Sequence, residues 1–140
     1  RETLLSYGLS EEEMDRLDYG QLAERMVELV PPEHVEFLSS MENCIVIGDY
    51  AFVHAGISPY VPLENQQLKA LRWIRDDFLD YNGELEKTIV YGHTITENVD
   101  FGTSRIGIDT GAYKSGKLTA MGLEGGARWF LDTAPVEAAA

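Results

Sequence analysis

Two of the three histidines in this sequence occupy matching positions, just after short apolar segments and beside small residues. His54 follows the apolar segment 50–53, and His93 follows the apolar segment 88–91. Small neighbours let a metal, a substrate or another backbone approach closely, and an imidazole in such a place can bind a metal or act as a general acid or base. The alternative for each is a buried ring bonded to a backbone carbonyl, which we favour for either histidine alone, but two matched positions are less easily accidental. We interpret His34, in a predicted helix after two prolines, as structural or exposed.

Arg75 and Asp109 could contribute to a site for an anion. The guanidinium of Arg75 suits bidentate contact with phosphate oxygens, although an ion pair with a nearby carboxylate is a strong alternative. Asp109 follows a predicted strand, where its carboxylate could orient a histidine by accepting a hydrogen bond or could cap a turn; we prefer the turn. Hydrolytic metal centres typically need three or more protein ligands. The residues alone therefore indicate a partial metal site and a phosphate-type substrate.

The segment 1–42 is predicted to be helical. Ser10 and Asp18 each precede, by three residues, a Glu or Gln that can complete a capping box at the start of a helix. Apolar residues then recur at helical spacing, and the pair Pro31-Pro32 is predicted to end one helix and to begin another.

Strands dominate the next part of the chain. The pattern of helices first, then strands with one helical interruption, indicates a layered α/β fold. Segments 44–47 and 50–53, joined by Gly48-Asp49, are predicted to form a β-hairpin with both strands buried on both faces. A helical stretch is predicted over 68–79, and further strands are predicted at 88–91, 105–108 and 118–123, the last being the final strand.

We expect the 140 residues to be one partial domain, with a helical segment 1–42, a strand-rich segment 43–125 and a tail 126–140. The chain begins with Arg1, so we expect that it comes from a longer protein. The single cysteine, Cys44, excludes an internal disulfide and lies in an apolar segment, which indicates a core position. We expect a reducing, cytoplasmic compartment in a bacterium.

The charge of the chain limits its partners. The formal net charge is −13 at pH 7, so a nucleic acid would be repelled, and the absence of a long apolar run argues against a membrane span. An acidic protein that binds phosphate needs local positive charge from metal ions or placed arginines. We expect a phosphorylated protein or a small phosphoester as the partner, with no nucleic acid and no membrane.

Several segments resemble motifs of the bacterial and phage-lambda-type serine/threonine phosphoprotein phosphatases, in the calcineurin-like metallophosphoesterase superfamily. Each segment is weak alone, but together they are fairly specific, and the resemblance covers roughly residues 35–125. In the family's order, they are Phe52-Val53-His54-Ala55-Gly56-Ile57, Trp73-Ile74-Arg75, Tyr91-Gly92-His93-Thr94, and Ile108-Asp109-Thr110-Gly111-Ala112 with Gly116-Lys117-Leu118-Thr119-Ala120.

The resemblance implies a sandwich of mixed β-sheets flanked by helices, and two divalent metal ions, manganese foremost with iron or zinc as alternatives. It implies that His54 and His93 bind the same metal, that Arg75 holds the substrate phosphate, and that a hydroxide activated by the two metals attacks phosphorus. The implied protein is a phosphoric monoester hydrolase, first of all a phosphoserine or phosphothreonine protein phosphatase. Thr94 favours this branch over the diadenosine tetraphosphate hydrolases, which usually have another residue there.

The family's G-D-x-H-G, G-D-x-x-D-R-G and G-N-H-E motifs do not occur in these 140 residues. They would supply the remaining metal ligands, so we interpret the chain as a C-terminal half that binds metal weakly and has little or no phosphatase activity alone. Two alternatives stay open: a diadenosine tetraphosphate-type hydrolase of the same superfamily, and a non-catalytic phosphatase-like module that binds a partner through its acidic helices. A histidine-dependent hydrolase without metal ranks last, because a G-x-S-x-G motif is absent.

Overall fold

The structure is a computed structural model that describes residues 1–134. It divides into two compact units, one ending at Met41 and one beginning at Glu42. This division falls close to the predicted change from helical to strand-rich sequence. Among the described residues, no helix combines the length and the apolar character that crossing a bilayer requires.

The first unit is helical, as predicted. Its helices are α1 (Glu2–Ser6), α2 (Glu11–Arg16), α3 (Tyr19–Leu29) and α4 (Pro32–Ser39). Both capping boxes are present: the Ser10 side chain accepts a hydrogen bond from the N–H of Glu13, and Asp18 accepts one from the N–H of Gln21. The first residue of α4 is a proline, whose fixed φ suits the first turn of a helix.

The second unit is built on a five-stranded mixed sheet. Its strands are β1 (Cys44–Ile47), β2 (Tyr50–Val53), β3 (Thr88–Tyr91), β4 (Asp100–Phe101) and β5 (Arg105–Gly107). Their spatial order is β1-β2-β3-β5-β4, with β2, β3 and β5 parallel and each outer strand antiparallel to its neighbour. The three parallel strands therefore end at the same edge of the sheet, and the residues that follow them emerge there.

The predicted hairpin is confirmed, but the expectation that both of its strands are buried on both faces is wrong for β1. The strands pair antiparallel around Gly48, which has a φ of +57°. Ala51 in β2 is fully buried, whereas Ile45, Val46 and Ile47 are 48%, 51% and 64% exposed. β1 is an edge strand, and an apolar run alone cannot distinguish an edge strand from a central one.

A cluster of buried side chains from β2, β3 and the segment between them forms the core of the second unit. Cys44 is partly buried against this cluster, in agreement with its predicted position. Gly56, which follows β2 with a φ of +152°, lies so close to Phe78 that a Cβ would be 2.4 Å from its Cδ1. Glycine is therefore required at this point for packing. The cluster consists of Ala51, Ile57, Leu71, Phe78, Ile89 and Tyr91.

The helical stretch between β2 and β3 is broken where Arg75 lies. It contains α5 (Leu68–Trp73) and α6 (Asp76–Leu79), preceded by a short 3₁₀ helix (Leu63–Asn65). Ile74 is extended and ends α5, and Arg75 stands between the helices with φ −135° and ψ −102°. The break takes Arg75 out of a regular helical face.

A second, two-stranded sheet follows β5. It is formed by β6 (Thr119–Glu124) and β7 (Ala127–Asp132), which pair antiparallel after the short helix α7 (Ala112–Ser115). The prediction that the strand at 118–123 is the last is wrong, because β7 occupies part of the expected tail. Gly125, with a φ of +56°, and Gly126 form a hairpin turn, but the apolar residues of β7 do not alternate with polar ones. The end of the expected tail lies outside the described residues.

Candidate metal and phosphate site

The parallel strands bring three predicted site residues to one edge of the sheet. His54 directly follows β2, His93 lies two residues beyond β3, and Asp109 lies two residues beyond β5. Backbone pairing continues past the strand ends, since the N–H of Gly92 donates to the carbonyl of His54 over 2.8 Å. The two histidines are thus carried by a paired backbone, which fixes a site better than a free loop does.

The rings of His54 and His93 lie next to each other. The distance from Nε2 of His54 to Nδ1 of His93 is 3.2 Å, and the ring centroids are 5.0 Å apart. Two nitrogen ligands about 2.0–2.1 Å from one metal, at a near-tetrahedral angle, are ~3.3 Å apart. The observed separation therefore fits two ligands of one cation, and it also fits a direct hydrogen bond between two neutral rings.

The backbone of His93 has a conformation that residues other than glycine rarely adopt. Its φ is +66°, the one positive value at a non-glycine residue within 1–134. The N–H of Thr94 donates to the carbonyl of Gly92 over 2.7 Å, which closes a γ-turn around His93. Such strain clusters at functional sites, and here the strained turn carries the ring that meets His54.

The surroundings of His93 favour its neutral ring. Partial removal from water, the positive charge of Arg75 and the neighbouring His54 lower the pKa of His93, and Asp109 opposes this to a smaller extent. The neutral imidazole is the form that binds metal ions.

Arg75 is joined to the turn at His93 through Thr94. Its Nη1 donates to Oγ1 of Thr94 over 3.1 Å. No carboxylate within residues 1–134 lies at ion-pair distance from Arg75. The ion pair considered as the alternative role of Arg75 therefore does not form among these residues. The neighbouring indole of Trp73 meets the His93 ring edge to face, with centroids 5.6 Å apart. Arg75 is exposed, which leaves its other N–H groups accessible to an anion.

Asp109 makes the hydrogen bond of a turn. Its Oδ1 accepts from the N–H of Gly111 over 2.9 Å, which is the preferred interpretation of this residue. Within the described chain, neither His54 nor His93 donates a hydrogen bond to it. No hydrogen bond therefore supports a role for Asp109 in orienting a histidine, although its carboxylate is close enough to affect the pKa of His93.

Two clefts adjoin these residues. One, of about 340 Å³, is lined by His54, His93 and Asp109 among others. Another, of about 630 Å³, is lined by Arg75 and by Trp73, whose side chain is 68% exposed. Both volumes lie within the usual range of small-molecule sites, about 300–1,000 Å³.

The described residues do not by themselves form a complete metal centre. No group of three or more His, Cys, Asp and Glu side chains that could hold a metal ion occurs within 1–134. Two imidazoles can begin such a site, but an ion that they share needs further ligands from water, substrate or other residues. What the geometry offers is two imidazole nitrogens at the separation of two ligands of one cation, with an exposed guanidinium beside them.

The contact roles of Thr94 and Trp73 do not follow from the sequence analysis. Both flank predicted site residues, Thr94 next to His93 and Trp73 two residues before Arg75. Adjacency to a candidate ligand was the available signal. It could not show that one side chain accepts a hydrogen bond from Arg75 while the other packs on a histidine ring.

Comparison with known proteins reveals a likeness in fold. No protein-family model matches the sequence, and no curated protein matches it. The crystal structure of a candidate diadenosine tetraphosphatase is similar, with a TM-score of 0.61 and 20% sequence identity over 80% of this chain and 60% of that chain. This chain thus spans less than two thirds of the length of that protein. At this identity the likeness shows the fold alone: the chain has a mixed α/β fold of the metallophosphoesterase type, as the sequence predicts.

Proposed function

We propose that this protein is a metal-dependent phosphoester hydrolase. The observation that carries the proposal is the 3.2 Å approach of Nε2 of His54 to Nδ1 of His93. Arg75 is tied to the same turn by its hydrogen bond to Thr94. A pair of cation ligands with a guanidinium beside it suits a phosphoester, whose oxygens can contact a metal and an arginine together.

Each residue would have a distinct role. His54 and His93 would hold one divalent ion, manganese being the first expectation, with iron or zinc as alternatives. Bound metal ions of this kind polarise phosphoryl oxygens and activate a water molecule. Arg75 would orient the phosphoryl group through paired N–H···O hydrogen bonds and offset its charge. A second metal, implied by the motif resemblance, would need ligands beyond those found in residues 1–134.

Two substrate classes are supported by different observations. The motif resemblance, including Thr94, favours phosphoserine or phosphothreonine in proteins. The fold comparison favours a diadenosine tetraphosphate-type substrate, because the similar solved structure bears that name. Between the two, the comparison gives more support to the diadenosine polyphosphate.

Binding measurements test the hydrolase proposal directly. Isothermal titration of the 140-residue chain with Mn²⁺ should show an affinity that falls at least tenfold in His54→Ala and in His93→Ala. A His34→Ala variant is the matched control, because His34 lies in the first unit, where its Nδ1 is hydrogen-bonded to the hydroxyl of Tyr7 over 2.9 Å. Equal losses in all three variants would contradict a site formed by His54 and His93.

Turnover assays compare the two substrate classes in whatever residual activity the chain has. With Mn²⁺ present, a phosphoserine peptide and diadenosine tetraphosphate are compared by release of phosphate and of nucleotides. We expect little or no turnover by the chain alone, because residues 1–134 provide only two candidate ligands, and we expect any turnover to need Mn²⁺ and Arg75. Turnover that survives chelation of metal and the Arg75→Ala substitution would refute the proposed function.

A further inference from the structure

We propose that Thr94 is a positioning residue that holds the guanidinium of Arg75 in place beside the His93 turn. This inference rests on the proposed function, because it assigns the held guanidinium to phosphate binding. Thr94 itself would touch neither metal nor phosphate.

Thr94 makes two contacts that connect the two halves of the site. Its backbone N–H donates to Gly92 over 2.7 Å and closes the turn that presents His93. Its side-chain Oγ1 accepts from Nη1 of Arg75 over 3.1 Å. One residue therefore belongs to the turn of the candidate metal ligand and also fixes the candidate phosphate ligand.

Arg75 needs such a contact because little else restrains its side chain. It is exposed, it lies between α5 and α6, and it makes no other side-chain hydrogen bond or ion pair within the described residues. A long side chain without a restraint must be ordered when a ligand binds, which lowers affinity. A hydrogen bond already present in the free protein reduces that cost.

The chemistry of the acceptor matters as much as its position. A threonine hydroxyl is neutral, so it can hold the guanidinium without offsetting its positive charge. A carboxylate in the same place would hold Arg75 and also repel the phosphate. Arg105 shows the contrast within this chain, since it lies 3.7 Å from Asp100 and donates to the carbonyl of Tyr81, which is the environment of a structural arginine.

The test compares four forms of the 140-residue chain: wild type, Thr94→Val, Thr94→Ser and Thr103→Val. Thr103 is exposed and makes no side-chain hydrogen bond among the described residues, so its substitution controls for loss of a surface hydroxyl. The order of the Arg75 side chain is followed by the {¹H}–¹⁵N NOE of its Nε. Affinities for Mn²⁺ and, in its presence, for inorganic phosphate are measured by titration.

We expect Thr94→Val to lower the Arg75 NOE and to weaken phosphate binding roughly three- to tenfold, as loss of one hydrogen bond would, with Mn²⁺ affinity unchanged. Thr94→Ser should restore both readouts, and Thr103→Val should match wild type. Wild-type phosphate affinity in Thr94→Val, or an unchanged NOE, would overturn the role of Thr94 alone. A wild-type chain that binds no phosphate would overturn the phosphate-binding function, and the role of Thr94 with it.

Discussion

Gly56 is the position at which one added methyl group should damage the fold most clearly. A Cβ at this residue would lie 2.4 Å from Cδ1 of Phe78 and 2.8 Å from two further ring atoms. The ring of Phe78 is 1% exposed and belongs to the core, so it cannot move aside freely. The backbone of Gly56 also has a φ of +152°, which side-chain-bearing residues rarely adopt.

The expected cost of Gly56→Ala is the sum of two effects. Overpacking a tight core costs about 1–3 kcal/mol, and an unfavourable backbone conformation costs about 1–3 kcal/mol. Together they predict a loss of roughly 2–6 kcal/mol, which is large beside the ~5–15 kcal/mol of a typical domain. We therefore expect Gly56→Ala to unfold at much lower urea concentration, or to leave part of the second unit unfolded in buffer.

Two other glycines separate the effects. Gly48 has a φ of +57° with open space around it, and Gly126 has open space and no positive φ. Gly48→Ala should cost about 1–2 kcal/mol from strain alone, and Gly126→Ala should lie within about 0.5 kcal/mol of wild type. Urea unfolding followed by tryptophan fluorescence suits this comparison, because both tryptophans, Trp73 and Trp129, lie in the second unit.

A Gly56→Ala protein that is no less stable than Gly48→Ala would contradict this expectation. That result would mean that the Phe78 ring does not press on Gly56. The glycine at position 56 would then need a reason other than packing, such as access of a ligand to the imidazole of His54.

Further changes give equally direct expectations. Burial and the hydrogen bond to Asp100 raise the pKa of Tyr91 above its ordinary value of 10. The unfolded chain therefore loses this proton at lower pH than the folded chain, and the free energy of unfolding should fall as the pH rises above about 10. Urea unfolding measured as a function of pH should show a smaller decline in Tyr91→Phe. Asparagine tolerates positive φ, so His93→Asn should unfold like wild type while losing at least tenfold in Mn²⁺ affinity by titration. The hydrogen bonds from Ser10 lower the pKa of Glu13 below its ordinary value of 4.5. Their contribution to the free energy of unfolding is therefore complete above pH 4.5 and is lost as the pH falls through the lowered pKa. Circular dichroism should show an acid-induced loss of helix that is smaller in Ser10→Ala.

Local sequence signals predicted the parts of the fold that depend on neighbours in the chain. Ser10 and Asp18 cap helices because their partners lie three residues away, and the hairpin at Gly48 depends only on the two short segments beside the turn. The meeting of His54 and His93 is less local. Both were predicted to follow strands, but that they meet was implied only by the motif resemblance, because which strands are parallel neighbours is decided by the fold.

The features that could not be predicted depend on tertiary packing. Whether β1 lies at an edge is decided by which strands pair with it, so the apolar sequence of this segment could not predict that Val46 is exposed. The break at Arg75 and its hydrogen bond to Thr94 arise from how the segment before β3 packs. The positive φ of His93 is a further example: histidine is among the residue types that adopt positive φ more often than most, but its type alone does not single out this position.

We propose that one cation lies between the imidazoles of His54 and His93, and anomalous scattering from crystals soaked in manganese would locate it. We expect a single strong peak on the order of 2 Å from both Nε2 of His54 and Nδ1 of His93, and we expect no such peak in crystals of His93→Ala. The absence of a peak between the rings at saturating manganese, with the two nitrogens still hydrogen-bonded to each other, would contradict a shared cation.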